Sequence, residues 1–290
     1  MRKSLGLVVF LMAWMVACTP ASQITPTLSP TELPSRTPSP EPSATNRPAT
    51  ATSSPPAPTF YPLPPTLTAT PRIEVCSPLQ GVALDELPQM VSNAFDPPRP
   101  GEDDGHHGVD LAFYRHGDQV GMLGLPVLSV LPGTVAAAIK DRPPYGNMLI
   151  IETPLEFVPS AWDATLQLPA LIPTIMPPNL TCPRQADFPN LDTNRRSLYL
   201  LYAHLRQPTT LKPGQAVICG NPLGEVGTTG MSVNPHLHLE VRVGPAGARF
   251  YGMAHYIGDA TDQEMLNYCA WRVSGLFQMI DPMSLLSLRP

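Results

Sequence analysis

The stretch Asn234-Pro235-His236-Leu237-His238-Leu239-Glu240-Val241 carries most of the information in this chain. Side chains on a β-strand alternate between faces, so His236, His238 and Glu240 share one side while Leu237, Leu239 and Val241 share the other. A solvated strand face carries an isolated His-x-His at little cost, so the pair gains meaning only from its company. Around it, the runs 126–131, 148–151, 198–203 and 237–243 are short, apolar and punctuated by Gly, Pro and Asn. That pattern predicts a mostly β domain. Glycines 214, 220, 224, 227 and 230 predict successive tight hairpins that need positive φ. Residues 261–280, with Met265, Leu266, Trp271, Leu276 and Phe277, are the only stretch expected to be helical near the C-terminus.

A second polar cluster is Asp104-Gly105-His106-His107-Gly108-Val109-Asp110. Where it runs into a strand, His106 and Asp110 share a face, and Gly108 lets the backbone pass close to a ligand. His107 has the wrong parity for Asp110 and is expected in solvent or behind the ligands. His204 closes an apolar run and brings one polar ring to the mouth of a buried strand. Taken singly, the cluster reads as a polar turn and His204 as a capped strand end. Two histidines and an aspartate together make a three-ligand zinc set. His116 and His255 lack such company and are expected at the surface.

Composition places these motifs in the second part of the chain. Of the 290 residues 39 are proline, and 34 of the 54 residues 19–72 are Pro, Thr or Ser, a stretch that cannot bury a core and reads as a disordered linker. The formal charge is −5, and lysine occurs only at positions 3, 140 and 212. No basic footprint for nucleic acid exists, so none is expected as a partner.

The chain opens with Arg2 and Lys3 ahead of an apolar run, 5–17, in a secretory leader pattern too short for a permanent membrane span. Met15-Val16-Ala17-Cys18 resembles the bacterial lipoprotein box. The resemblance implies a signal peptide over 1–17, a lipid on Cys18, and an extracytoplasmic protein anchored to the bacterial membrane. An ordinary cleaved leader with Cys18 incidental is the alternative. Cys76, Cys182, Cys219 and Cys269 match no zinc spacing and suit disulfides in an exported chain. Of three pairings, Cys76–Cys269 with Cys182–Cys219 is favoured, because each bridge would tie down a loose segment.

His106-x-Gly108-Val109-Asp110, Tyr145-Gly146-Asn147, Tyr202-Ala203-His204-Leu205, Lys212-Pro213-Gly214-Gln215 and Asn234-Pro235-His236-Leu237-His238-Leu239-Glu240 follow one another in this order. In order and chemistry they resemble the lysostaphin-type, LytM-like zinc endopeptidases of peptidoglycan, across roughly 73–290. The resemblance implies a mostly antiparallel β-sheet or sandwich domain with an open groove. It also implies Zn2+ on His106, Asp110 and His238, with His204 and His236 as the catalytic histidines and peptidoglycan peptides as substrate. Such a site leaves a fourth position for water, whose pKa the metal lowers towards ~7. Asp104 and Glu240 are candidate partners for the imidazoles.

Residues 153–197 depart from the family as an insertion with eight prolines and Cys182. It is expected either to rim the groove as a lid or to be a peripheral loop. The main functional alternative is a LytM-like regulator that binds or activates other wall hydrolases; such proteins typically lack one or more motif residues, and all five are present here. A biotinyl- or lipoyl-carrier reading of residues 212–230 fails because no lysine follows Lys212.

Overall fold

Strands buried on both faces organise the molecule, and this explains why their sequences are apolar runs rather than strict alternations. The computed structural model describes residues 73–99, 101–116, 118–168, 181–182 and 191–288. The expected leader, Cys18 and linker lie outside the described residues. So does most of the interior of the insertion.

In chain order the strands are β1 Val91–Asn93, β2 Val109–Leu111, β3 Arg115–His116, β4 Gln119–Val120, β5 Pro126–Leu128 and β6 Gly133–Arg142. They continue as β7 Gly146–Pro154, β8 Asp192–Ala203, β9 Ala216–Val217, β10 Pro222–Glu225, β11 Leu237–Ala246 and β12 Gln278–Ile280. Eight of them form one antiparallel sheet in the order β1-β2-β11-β8-β7-β6-β9, with β12 also beside β11. Pairs β5/β10 and β3/β4 stand apart as two-stranded ribbons. The mostly antiparallel β expectation holds.

On β8, Leu198, Leu200 and Tyr202 pack into one apolar layer with Leu237, Leu239 and Val241 of β11. Tyr199, Leu201 and Ala203 pack into the other, with Ile150, Phe250 and Trp271. On β11 that second face is polar, carrying His238, Glu240 and Arg242, and all three are buried. Helix α2, Asp262–Arg272, supplies Trp271 to this layer. Its start is fixed by a capping box between Thr261 and Glu264. Two shorter helices are α1, Asp163–Leu166, and α3, Pro282–Leu286. No described helix is long and apolar enough to cross a membrane.

Several expectations are corrected. The stretch 261–280 is not one helix: α2 stops at Arg272 and β12 follows, edge-pairing with β11 over Val241–Val243. Gly214, Gly220 and Gly230 do have positive φ, but Gly224 lies within β10. Gly227 serves close packing instead, since a Cβ there would sit 2.4 Å from the Arg206 Cα. The disulfides are Cys76–Cys219 and Cys182–Cys269, the reverse of the favoured pairing. The first ties the segment before the sheet to the loop after β9. The second ties the insertion to α2. Strands β7 and β8 run past the expected limits, so the connection is shorter than 153–197. Its first part puts Trp162 and Leu166 into the layer that contains Leu200, away from the polar face of β11.

Candidate metal centre

Register assembles the site. In the β2/β11 ladder Asp110 stands opposite His238, and in the β11/β8 ladder His238 stands opposite Ala203, the residue before His204. His106 is brought in one step earlier, where its N–H donates to the Asp96 carbonyl at 2.7 Å and its carbonyl accepts from the Asp96 N–H at 2.9 Å. Gly105 has φ +73 there, and a Cβ would lie 2.3 Å from the Asp96 oxygen, so only glycine fits this turn.

The tautomers follow from the partners. His106 Nδ1 lies 2.9 Å from the Ala94 carbonyl, which can only accept, so Nδ1 carries the hydrogen and Nε2 carries the lone pair. His238 Nε2 lies 3.2 Å from a Glu240 carboxylate oxygen, so its donor points there and Nδ1 faces the cleft. His106 Nε2 is 3.1 Å from Asp110 Oδ1 and 3.2 Å from His238 Nδ1, and His238 Nδ1 is 2.8 Å from the same oxygen. Three acceptor atoms pointed at one another repel unless a cation or a proton lies between them. A tetrahedral ion about 2.0–2.1 Å from each would hold them roughly 3.3 Å apart, close to the spacing seen. The donor set therefore suits a metal ion, and these three groups can hold one. Without it, a proton does the same service. Burial lowers His238, but hydrogen bonds to Asp110 and Glu240 outweigh it and lift the imidazole to about 9. Burial raises Asp110, and the two histidines overturn that and hold its carboxyl well below the usual range.

Glu240 is fully buried and saturated. It accepts from Tyr145 Oη at 2.5 Å, Arg242 Nε at 2.8 Å and Trp271 Nε1 at 2.9 Å, besides facing His238. Burial pushes its carboxyl up, and Arg242 and His238 more than reverse this, so it stays ionised.

His204 and His236 face each other across the same cleft with ring centres 4.7 Å apart. His204 Nδ1–H donates to the Thr229 carbonyl at 2.7 Å, and His236 Nδ1–H to the Asn234 carbonyl at 2.8 Å. Both therefore leave Nε2 for the cleft; that of His236 is 3.5 Å from Asp110 Oδ1. Burial, followed by the charge of His238, lowers His204 to about 4, so it is a neutral base at neutral pH. Its backbone φ is +59, an unusual value for a non-glycine residue. The Tyr145-Gly146-Asn147 turn holds it there. Tyr145 O accepts from His204 N–H at 2.9 Å, and Asn147 Nδ2 donates to the Leu205 carbonyl at 3.1 Å. Gly146 packs directly on Thr229, where a Cβ would lie 2.3 Å from a carbonyl carbon.

All five sequence-derived site residues, His106, Asp110, His204, His236 and His238, thus line one cleft of about 320 Å³. Other expectations fail. Gly108 faces no ligand; its hydrogen points at β11, and a Cβ would strike the Leu239 carbonyl oxygen at 2.3 Å. Of the two places expected for His107 the structure takes the one behind the ligands: it is buried and accepts from Arg242 Nη2 at 2.8 Å, and burial with that guanidinium lowers it to about 2. His255 is buried, edge-on to Tyr256 and tilted against Tyr268 beside the Cys182–Cys269 bridge. The side chain of His116 lies outside the described residues. Asp104 is exposed and is not a partner of these imidazoles, while its neighbour Asp103 accepts from Tyr268 Oη at 2.6 Å and from Arg272 Nε. Trp271, Arg272 and Thr229 escaped the sequence reading. Tyr145 lay within a quoted motif, but nothing local tells that α2 folds back over β11.

Residues 191–249 match the model of peptidase family M23. No curated protein matches the chain. Among solved structures, the catalytic domain of the antimicrobial peptidase lysostaphin from Staphylococcus simulans is 19% identical, over 71% of this chain and 98% of that one, with a TM-score of 0.36. A point mutant of the catalytic domain of the prophage-encoded M23 protein EnpA from Enterococcus faecalis is 21% identical over 55% of this chain and 85% of that one, TM-score 0.31. A zinc-containing peptidase from Vibrio cholerae is 23% identical over 52% of this chain but only 32% of its own, TM-score 0.29. Residues 191–249, which contain His204, His236 and His238, are thus similar to peptidase family M23.

Proposed function

We propose that this chain is a zinc-dependent endopeptidase that cuts peptide links in bacterial peptidoglycan. The observation that supports it most is the convergence of three acceptor atoms, on His106, Asp110 and His238, beside two further imidazoles in one cleft. In this reading His106, Asp110 and His238 hold Zn2+, which supplies Lewis-acid polarisation of the scissile carbonyl and acidifies the attacking water. Glu240 fixes the tautomer of His238 and raises its basicity as a ligand. His204, neutral and with Nε2 free, takes the proton from the attacking water. His236, held by Asn234, places its Nε2 where charge grows on the carbonyl oxygen. The wider layout belongs to the same proposal: a signal peptide over 1–17, a lipid on Cys18, a linker over 18–72 and the peptidase domain over 73–290, acting outside the cytoplasm from a membrane anchor.

Incubating purified peptidoglycan with residues 73–290 and reading the products by mass spectrometry tests the enzyme. Chelator-sensitive new peptide termini are expected, and they vanish in His238→Ala. A folded, zinc-loaded domain that releases nothing from any wall chemotype would sink the proposal and leave a binding or regulatory role. Acyl mass on Cys18 of membrane-derived protein checks the anchor; its absence removes that part alone.

A further inference from the structure

The cleft also holds a cation that the peptidase reading does not use. Arg272, the last residue of α2, lines it together with His106, Asp110 and His204. Its guanidinium is held on several sides: Nε donates to Asp103, Nη1 donates to Tyr145 Oη at 3.0 Å, and the Tyr145 and Tyr268 rings lie 5.7 and 5.3 Å from Cζ. Among the described residues Nη2 makes no hydrogen bond, although 12% of the side chain remains exposed and the residue lines the cleft. The arm that carries it is anchored twice, by the Cys182–Cys269 bridge three residues earlier and by the bond from Trp271 Nε1 to Glu240. A fixed guanidinium edge facing a cleft matches a carboxylate better than any neutral peptide group.

We propose that Arg272 is a specificity-determining contact, selecting peptides that carry a free carboxylate close to the scissile bond over uncharged ones. The inference rests on the peptidase reading above and narrows its substrate to acidic peptides. It comes from a residue beyond the family-matched segment, on a helix stapled to this chain's own insertion. Two sources offer the same group: a C-terminal carboxylate, or an acidic side chain.

The test uses the full chain with Zn2+ added and two pairs of matched peptides. One pair ends in carboxylate or carboxamide, and the other carries Glu or Gln at one position. Dissociation constants are read by calorimetry and kcat/KM from product release. The carboxylate member of one pair is expected to be favoured by about tenfold or more, and the responding pair names the source. In Arg272→Gln the ratio falls towards one. Equal values in both pairs, or a preference that survives in folded Arg272→Gln, overturn the proposal. Should that variant fail to fold, Arg272→Lys keeps the charge against Asp103 while replacing the fork by a single ammonium; a reduced ratio supports the proposal and an unchanged one overturns it. Binding preference without cleavage would end the peptidase reading and leave the carboxylate site standing. Cleavage without preference would do the reverse.

Discussion

Two buried carboxylates sit on the same sheet, and only one is part of a site. Glu152 on β7 accepts from Ser197 Oγ at 2.8 Å, Tyr199 Oη at 3.1 Å, the Gly247 N–H and Arg249. Glu240 on β11 accepts from Tyr145, Arg242 and Trp271. In both, burial raises the carboxyl and surrounding donors reverse the shift. The difference is the fourth neighbour. Glu240 faces an imidazole whose other nitrogen opens on a cleft, whereas Glu152 ties strand ends to the loop after β11. Burial and saturation alone are thus signs of structure; function enters when the network ends on a group with spare chemistry.

Mutation can test that contrast. The largest effect is expected for Glu240→Gln. Arg242 is fully buried and would lose its charged partner, costing about 3–5 kcal/mol in urea unfolding. Zinc affinity by calorimetry should fall about 10–100-fold as His238 loses its orienting acceptor. Glu152→Gln should cost less, about 1–3 kcal/mol, because Arg249 is 29% exposed and can turn to water. Its zinc affinity should match the parent, and a clear loss would erase the distinction between the two networks.

Gly146→Ala probes the same difference from the cleft side. The new methyl must displace Thr229, whose carbonyl orients His204, so hydrolysis should fall more than tenfold while zinc binding changes little. Equal loss of both would mean that the turn merely holds the fold together.

An acid effect tests the buried imidazoles. His107 at about 2 and His204 at about 4 both lie below the unfolded value near 6.5, so below that pH the unfolded chain binds more protons. The stability they confer is present above about pH 6.5 and is lost as pH falls towards 4. Urea midpoints at pH 7 and pH 5 should show the drop, and Glu152→Gln should retain it. A midpoint that rises on acidification would contradict the buried neutral imidazoles. Activity should also fall steeply below about pH 6, since zinc ligands must be unprotonated.

Much of the site was legible in the chain because its signals are local. Period two put His238 and Glu240 on one face, and four-residue spacing kept His106 close to Asp110. The motif order, through the family it resembles, then joined His106, Asp110, His204, His236 and His238 into one expected site. The failures share a cause too. His255 read as a surface residue, and His107 was left open between solvent and a place behind the ligands, because nothing within their own segments reports burial. Gly108 was assigned to a ligand when its neighbour is the backbone of β11, 131 residues later. The disulfide pairing was inverted, since cysteine count cannot choose among three connectivities.

Residue type and short spacing were therefore enough for the strand faces, while the metal cluster and the pair of cleft histidines followed from the resemblance in motif order. Folding in three dimensions was needed to close Tyr145 and Trp271 on Glu240, to place Asp103 against Arg272, and to bring Arg272 to the cleft. These contacts join residues 31 to 169 positions apart. Loop closure and packing of α2 on the polar face of β11 select them, and no periodicity along the chain encodes that choice.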